Sequence, residues 1–127
     1  MNPAYTQKIV DLESLLPILA ELRAAGKKIV QCHGCFDVVH PGHIRHLADA
    51  AAAGDVLLVS VTADPQVGKR PQGPFMPQEL RCENLAALTM VDYVIVDPES
   101  WAGPLLERIR PDVYVKGLEY LTNNDPR

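Results

Sequence analysis

The feature that most constrains the fold of this chain is the string GCFDVVHPGH at residues 34–43, which separates two segments of different character. The segment before it, residues 28–32, is largely apolar and is typical of a buried strand. The segment after it, residues 44–54, is rich in alanine, a strong helix former, and ends at a glycine, which commonly terminates helices. The string is therefore predicted to form the loop between a strand and a helix.

Two histidines three residues apart, His40 and His43, lie where this helix is predicted to begin. Unpaired backbone N–H groups and the positive end of the helix dipole make such a place a ready site for phosphate. Pro41 suits the helix start, where its missing donor has no helical partner. Gly42 keeps a side chain away from whatever the two imidazoles hold. The sequence therefore predicts a phosphate site at this junction.

The rest of the chain alternates predicted strands and helices. Further buried strands are predicted at residues 55–61, 93–96 and 113–115, and the first of them is continuously apolar, as parallel sheets require. Leucines at helical spacing over residues 12–22, followed by Gly26, predict a first helix, and further helices are predicted at residues 78–90 and 101–109. The alternation predicts one α/β domain over residues 1–127, a Rossmann-like, doubly wound parallel sheet with right-handed crossovers.

Two helix starts are predicted from single residues. Pro17 is expected in the first turn, so that the regular part of the first helix begins around Ser14. Ser100 is the expected N-cap of the helix that follows it.

Ligand sites in parallel sheets lie outside the carboxyl ends of the strands. The stretches that follow the four strands are therefore expected to come together: residues 34–43, 62–64, 97 and 116–119.

The composition argues against several classes of protein. A length of 127 residues suits one domain. The formal net charge of −4 argues against a nucleic-acid partner or an anionic membrane surface. No long apolar run is present, and the amino terminus lacks a basic stretch followed by an apolar one, so a cytoplasmic location is expected.

The cysteines leave a second interpretation of the motif open. Cys32, Cys35, His40 and His43 have the spacing C-x2-C-x4-H-x2-H, so a zinc site must be considered. The gap between the pairs is far shorter than the roughly 12 residues of common zinc fingers. A redox function is disfavoured because redox CxxC motifs open their helix directly. We expect Cys32 to be a core residue and no metal to be bound by protein side chains.

The longer string GCFDVVHPGHIRHLADA resembles the HxGH signature region of the cytidylyltransferase-like nucleotidyltransferases. It is most similar to the enzymes that adenylylate heptose 1-phosphate to make ADP-heptose, and next to the glycerol-3-phosphate cytidylyltransferases. The resemblance extends over residues 26–120. It implies that His40 and His43 are catalytic and contact the α- and β-phosphates, and that pyrophosphate leaves.

The resemblance also implies a basic residue on the long loop after the second strand that reaches the triphosphate. Lys69 is the expected catalytic cation and Arg70 the reserve, while solvated loop charges are the alternative. Arg81 matches an arginine that opens the helix before the third strand in relatives. It is expected either to reach substrate phosphate or to form a salt bridge with Glu79 or Glu83.

Two carboxylates are expected near the phosphates. Asp37 and Asp64 are expected either to hold Mg²⁺ through water or to fix a histidine tautomer, and the alternative for Asp37 is bonding to loop amides. Cys35 and Phe36 are expected to offer backbone donors, and the Phe36 ring is either a core residue or a base contact. The full set expected to line the nucleotide site is Gly34, Cys35, Phe36, Asp37, Pro41, Gly42, Asp64, Arg70, Arg81, Lys116, Gly117 and Glu119.

The segment VKGLEY at residues 115–120 resembles the family segment that packs against base and ribose, with Gly117 allowing close approach of the base. Relatives carry Gly-Gly-Asp or a near variant there, so Glu119 departs from the pattern. Relatives also carry a Ser/Thr-rich phosphate-binding segment after a fifth strand, which this sequence lacks. The chain is therefore expected to be a C-terminally truncated domain that binds nucleotide and catalyses poorly.

The resemblance implies a nucleotidyltransferase that takes a nucleoside triphosphate, ATP, and a sugar phosphate, heptose 1-phosphate, with Mg²⁺ as cofactor. The alternatives are a CTP-dependent enzyme of the glycerol-3-phosphate type and a nucleotide-binding module without turnover. The protein is expected to be a homodimer or part of a larger multidomain protein, with neither nucleic acid nor membrane as a partner.

Overall fold

The computed structural model describes residues 3–67 and 74–116. Within these ranges one sheet has parallel strands in the order β3-β2-β1-β4: β1 (Ile29–Gly34), β2 (Val56–Thr62), β3 (Tyr93–Asp97) and β4 (Val113–Lys116). The helices are α1 (Leu12–Ala24), α2 (Pro41–Ala51), α3 (Gln78–Ala86) and α4 (Gly103–Ile109), with short 3-10 helices at Ala4–Lys8 and Asp64–Val67. None of the helices in those ranges combines the length and apolar character needed to cross a membrane.

The strands feed two separate cores because alternate side chains point to opposite faces of the sheet. On one face, Val30 and Val59 pack with residues of α2 and α3. On the other face, Ile29, Leu58 and Ile95 pack with residues of α1 and α4. Helices on both faces of a parallel sheet confirm the predicted doubly wound α/β fold.

Aspartates fix the amino ends of the strands. Asp112 accepts a hydrogen bond from the amide of Ile29 at 2.7 Å, and Asp92 accepts one from the amide of Leu57 at 2.8 Å. Each bond satisfies a strand amide at the edge of the sheet where the chain enters it. Long-range hydrogen bonds thus satisfy strand amides at the amino edge of the sheet, whereas the motif residues follow the carboxyl end of β1.

Helix α1 begins earlier than predicted. It starts at Leu12 rather than around Ser14, because the carboxylate of Asp11 caps it by accepting the amide of Ser14 at 2.8 Å. Pro17 therefore lies inside the helix. Its missing N–H leaves the carbonyl of Glu13 without a helical donor, and both residues are on the exposed side, where water can take that place.

Helices α3 and α4 are shorter than predicted. Helix α3 ends at Ala86 rather than at residue 90. Helix α4 begins at Gly103, and its N-cap is Ala102 without a side-chain cap, so the prediction of Ser100 as N-cap is wrong. The turn after β3 explains the later start, because Asp97 Oδ1 accepts the amide of Glu99 at 3.0 Å and bends the chain there.

Gly54, between α2 and β2, allows a close approach of the chain to β1. A Cβ at this position would lie 2.7 Å from Val30 Cγ2 and 2.9 Å from the carbonyl oxygen of Lys28. We expect Gly54→Ala to lower the free energy of unfolding by about 1–3 kcal/mol, the usual effect of overpacking. Urea unfolding measures this, with the exposed neighbour Ala53→Ser as control. Equal midpoints for the two variants would contradict it.

Candidate functional site

The chain changes direction across the sheet at β1. Strand β1 pairs with β2 on one side and with β4 on the other, so the strand order reverses at β1, the topological position at which parallel sheets form a crevice. Crevices of this kind at the carboxyl edge of a parallel sheet are where α/β proteins bind ligands. The loop leaving β1 carries the string that contains His40 and His43. Topology alone therefore puts the predicted phosphate site at the switch point.

The two histidines form a capping box at the start of α2. His40 is the N-cap, and its Nδ1 accepts a hydrogen bond from the amide of Gly42 at 3.0 Å. The amide of His40 in turn donates to Nδ1 of His43 at 3.3 Å. Pro41 is the first helical residue, as predicted. The capping box itself was not predicted, because serine, threonine and the acidic residues are the usual signals for one.

These bonds fix the tautomer of both rings. A ring nitrogen that accepts an amide hydrogen bond carries no proton, so a neutral imidazole then has its proton on Nε2. The ring centroids of His40 and His43 are 4.0 Å apart, and His43 is 9% exposed while His40 is exposed. The arrangement gives two neighbouring Nε2–H donors at a helix N-terminus, which suits an anionic ligand.

Phe36 belongs to the core and not to an open base-binding surface. Its ring is 1% exposed, and its centroid is 5.7 Å from that of His43. Its backbone has a φ of 53°, a left-handed conformation that costs energy for a bulky residue. Of the two interpretations of the Phe36 ring, the structure favours the core one. The Phe36 ring packs beside the ring of His43, and the backbone turns sharply just after the end of β1.

Asp37 anchors a second loop. Its Oδ2 accepts the amide of Phe75 at 2.8 Å, and its Oδ1 accepts the amide of Met76 at 2.8 Å. The structure thus shows the amide-bonding alternative for Asp37. With one amide on each oxygen, Asp37 is less suited to direct coordination of Mg²⁺, and a contact with Mg²⁺ through water stays a prediction.

Arg81 is buried and pairs with Asp64. Its Nη2 donates to Asp64 Oδ1 at 2.7 Å, so its carboxylate partner is neither Glu79 nor Glu83. The side chain of Arg81 is 0% exposed. The pairing also places a fixed positive charge beside Asp64, which opposes a metal ion there. A direct contact between Arg81 and substrate phosphate stays a prediction.

The remaining described residues of the predicted site follow the strand ends. The carbonyl of Gly34 accepts the hydroxyl hydrogen bond of Thr62 at 3.4 Å. The carbonyl of Lys116, at the end of β4, accepts a hydrogen bond from His46 Nε2 at 2.7 Å. His46 therefore ties α2 to β4 beside the switch point, a link that sequence alone did not indicate. Lys69, Arg70, Gly117 and Glu119 lie outside the described residues.

A buried polar cluster on the α1 and α4 face was also missed by sequence reasoning. His33 Nδ1 lies 2.7 Å from Ser60 Oγ and 3.9 Å from Asp97 Oδ2, and Gln31 Nε2 donates to Ser60 Oγ at 3.0 Å. Burial lowers the pKa of His33 to about 4, and burial raises the pKa of Asp97 above its usual value. His33 is thus neutral near pH 7, and its contact with Asp97 is not an ion pair. Alternating polar residues in β1 were the available signal.

The zinc alternative has no geometric support. Cys32 is 0% exposed in β1 and belongs to the core, as expected. Over residues 3–67 and 74–116, no three His, Cys, Asp or Glu side chains converge as metal ligands do. Cys82 is also in the core, where burial raises the pKa of its thiol to about 11 and keeps it protonated.

Comparisons with known proteins agree with this architecture. The chain is 38% identical over 118 residues to the bifunctional protein HldE of Syntrophotalea carbinolica, covering 91% of this chain and 24% of that protein. It is 44% identical over 114 residues to the bifunctional protein HldE of Azotobacter vinelandii, covering 88% of this chain and 24% of that protein. The chain therefore spans about a quarter of the length of these relatives.

A solved structure is also similar. The lipopolysaccharide core biosynthesis protein from Thermoplasma volcanium superposes with a TM-score of 0.65 at 28% identity, over 70% of this chain and 73% of that chain. The cytidylyltransferase-like family model matches residues 31–126, which include most of β1, the histidine loop and the strands β2, β3 and β4. By that match over most of its length, the chain belongs to the cytidylyltransferase-like family of nucleotidyltransferases.

Proposed function

We propose that this chain transfers a nucleotidyl group from a nucleoside triphosphate, ATP, to a sugar phosphate, heptose 1-phosphate, with release of pyrophosphate. The observation that supports this best is the capping box of His40 and His43 at the start of α2. It combines a helix N-terminus with two imidazoles whose Nε2–H groups are donors, a combination suited to phosphate oxygens. The resemblance to the enzymes that make ADP-heptose supplies the choice of substrates.

In the proposed reaction, a phosphate oxygen of the sugar phosphate attacks the α-phosphorus and forms a new P–O bond. The bond from the α-phosphorus to the oxygen bridging to the β-phosphate breaks, and its electron pair leaves with pyrophosphate. Negative charge grows on the non-bridging and leaving oxygens, where preorganised donors stabilise it. We assign this stabilisation to His40 and His43, with Lys69 as the loop cation and Arg70 as its reserve.

Mg²⁺ is part of the proposal as the ion that neutralises the triphosphate. Neither Asp37, whose oxygens hold two amides, nor Asp64, which is paired with Arg81, suits it as a direct ligand. We therefore propose that the ion is held by phosphate oxygens and water, as Mg²⁺ commonly is in nucleotide sites. The chain's own residues bind and orient the phosphates.

We further propose that the protein is cytoplasmic and that it is a homodimer or part of a larger multidomain protein. It is proposed to have neither nucleic acid nor membrane as a partner.

Calorimetric titration with nucleotide tests the binding part of this proposal. MgATP is titrated into the chain beside MgCTP, and pyrophosphate release is then followed with heptose 1-phosphate or glycerol 3-phosphate as acceptor. Binding of MgATP, with release that depends on heptose 1-phosphate, is expected. Preference for MgCTP and glycerol 3-phosphate would replace the substrate pair. Binding without release with any pair would indicate a nucleotide-binding module, and no binding would overturn the proposal.

A further inference from the structure

The guanidinium of Arg81 joins four parts of the chain at the carboxyl edge of the sheet. Its Nη1 donates to the carbonyls of Cys35 at 2.9 Å and Thr62 at 2.7 Å. Its Nε donates to the carbonyl of Met76 at 3.0 Å, and its Nη2 to Asp64 Oδ1 at 2.7 Å. These acceptors lie just after β1, at the end of β2, in the segment before α3, and in the 3-10 helix after β2.

Asp37 holds the same segment from the other side. The amide of Met76 donates to Asp37 while the carbonyl of Met76 accepts from Arg81, so both polar backbone groups of this residue are bound. The amide of Phe75 also donates to Asp37. Asp37 and Arg81 thus form two sides of one bracket, which we define as Asp37, Asp64, Arg81 and the backbone groups they bind. The bracket fastens residues 75–76 to the loop that leads to the histidines.

The Cys35 carbonyl links the bracket to the backbone conformation of Phe36. This carbonyl belongs to the peptide that precedes Phe36, the residue with a φ of 53°. A left-handed residue of this size persists where its surroundings over-determine it. The Arg81 bond on one side and burial of the Phe36 ring on the other provide that restraint. Release of the peptide would let the chain from Asp37 to His40 relax into a different path.

We propose that Arg81 is a positioning residue for the nucleotide site. It acts by fixing the path of residues 35–37 and the segment 75–76, and so the placement of His40 and His43. Its side chain is 0% exposed and four of its five N–H donors bind protein oxygens, so we infer that its effect on a ligand passes through the groups it binds. This inference rests on the proposed function for its ligand, and on the hydrogen bonds alone for its structural part.

The test compares Arg81→Lys with Arg23→Lys. Lysine keeps the charge but cannot reproduce the planar fork that reaches several acceptors at once. Arg23 is a matched control because its guanidinium also binds two carbonyls, those of Ile109 and Arg110, but at the entry to β4 on the opposite edge of the sheet. Residue-resolved amide exchange is measured without nucleotide, followed by titration with MgATP.

We expect Arg81→Lys to speed exchange of the Phe75 and Met76 amides by at least about tenfold while the amides of β1 and β2 stay protected. The MgATP dissociation constant should rise on the order of tenfold or more, the scale of a small displacement of binding groups. Arg23→Lys should change neither result. If Arg81→Lys does not fold, Asp64→Asn, which removes only the ionic partner, is measured in the same way and should show the same local effect.

Unchanged exchange at Phe75 and Met76 would overturn the proposal, as would acceleration spread evenly over all strands, which would mean a purely structural arginine. Full retention of MgATP affinity in a variant with faster local exchange would also overturn it. If the unmodified chain does not bind MgATP, the proposed function fails instead. The exchange comparison still decides whether Arg81 fixes the loop.

Discussion

In a full-length version of the protein, replacing either His40 or His43 with alanine is expected to lower turnover by on the order of a hundredfold or more, the usual loss for one preorganised donor. Each variant removes an Nε2–H donor from the start of α2. The dissociation constant for MgATP should change less, because these donors matter most as charge builds up in the transition state. Pyrophosphate release measured at saturating substrates, with calorimetric titration of MgATP, separates the two effects.

The capping box requires a control for stability. His40 is the N-cap of α2, so alanine there also removes a helix cap, which costs about 1 kcal/mol. His40→Asn keeps a side-chain acceptor for the amide of Gly42 and removes the imidazole, so it should fold normally and still lose turnover. Asp49→Ala, on the exposed side of α2, should leave turnover unchanged. Normal turnover in His40→Asn would show that His40 only caps the helix.

The stability of the protein should fall as the pH is lowered from about 6.5 to about 4. His33 has a pKa of about 4 in the folded protein because burial disfavours its charged form, whereas the unfolded chain takes up this proton near the ordinary value of 6.5. Between these values the unfolded state binds more protons, so acidification favours unfolding. The full effect is about 3 kcal/mol, at about 1.4 kcal/mol for each pKa unit.

Asp97 acts in the opposite direction in the same cluster. Burial raises its pKa above 3.8, so the folded state holds this proton more readily than the unfolded chain. Its contribution to stability is present at low pH and is lost as the pH rises through its folded pKa. Asp97 therefore offsets part of the loss caused by His33, and the observed decline should be smaller than His33 alone would give.

Urea unfolding at several pH values measures this dependence. His33→Asn keeps a polar side chain of similar reach and removes the titrating ring, so the decline between pH 6.5 and 4 should flatten. Ser60→Ala is the matched control, because it removes the hydroxyl that contacts His33 but leaves the ring in place. Ser60→Ala should lose stability at every pH and keep the slope. Equal slopes in His33→Asn and the unmodified chain would show that another group sets it.

Sequence by itself determined the fold class and the place of the two histidines at a helix start. The continuously apolar run at residues 55–61 is typical of a strand buried on both faces, and the alternation of strands with helices leads to a parallel sheet with helices on both sides. The GCFDVVHPGH string placed two histidines at a helix start, and the structure has them there. These features depend on local pattern and short-range sterics, which the order of residues contains directly.

Tertiary structure decided what the individual polar groups do. Asp37 and Arg81 are 44 positions apart in sequence, yet both bind the backbone of Met76. Met76 is far from Asp37 and from β1 along the chain. His33 is in β1 and Asp97 is in β3, and the strand order places these two strands on either side of β2. This arrangement brings the two side chains to within 3.9 Å of each other. A carboxylate or guanidinium has the same appearance in sequence whether it faces substrate or a backbone amide. Strand order and burial choose its partner, and both arise from long-range packing.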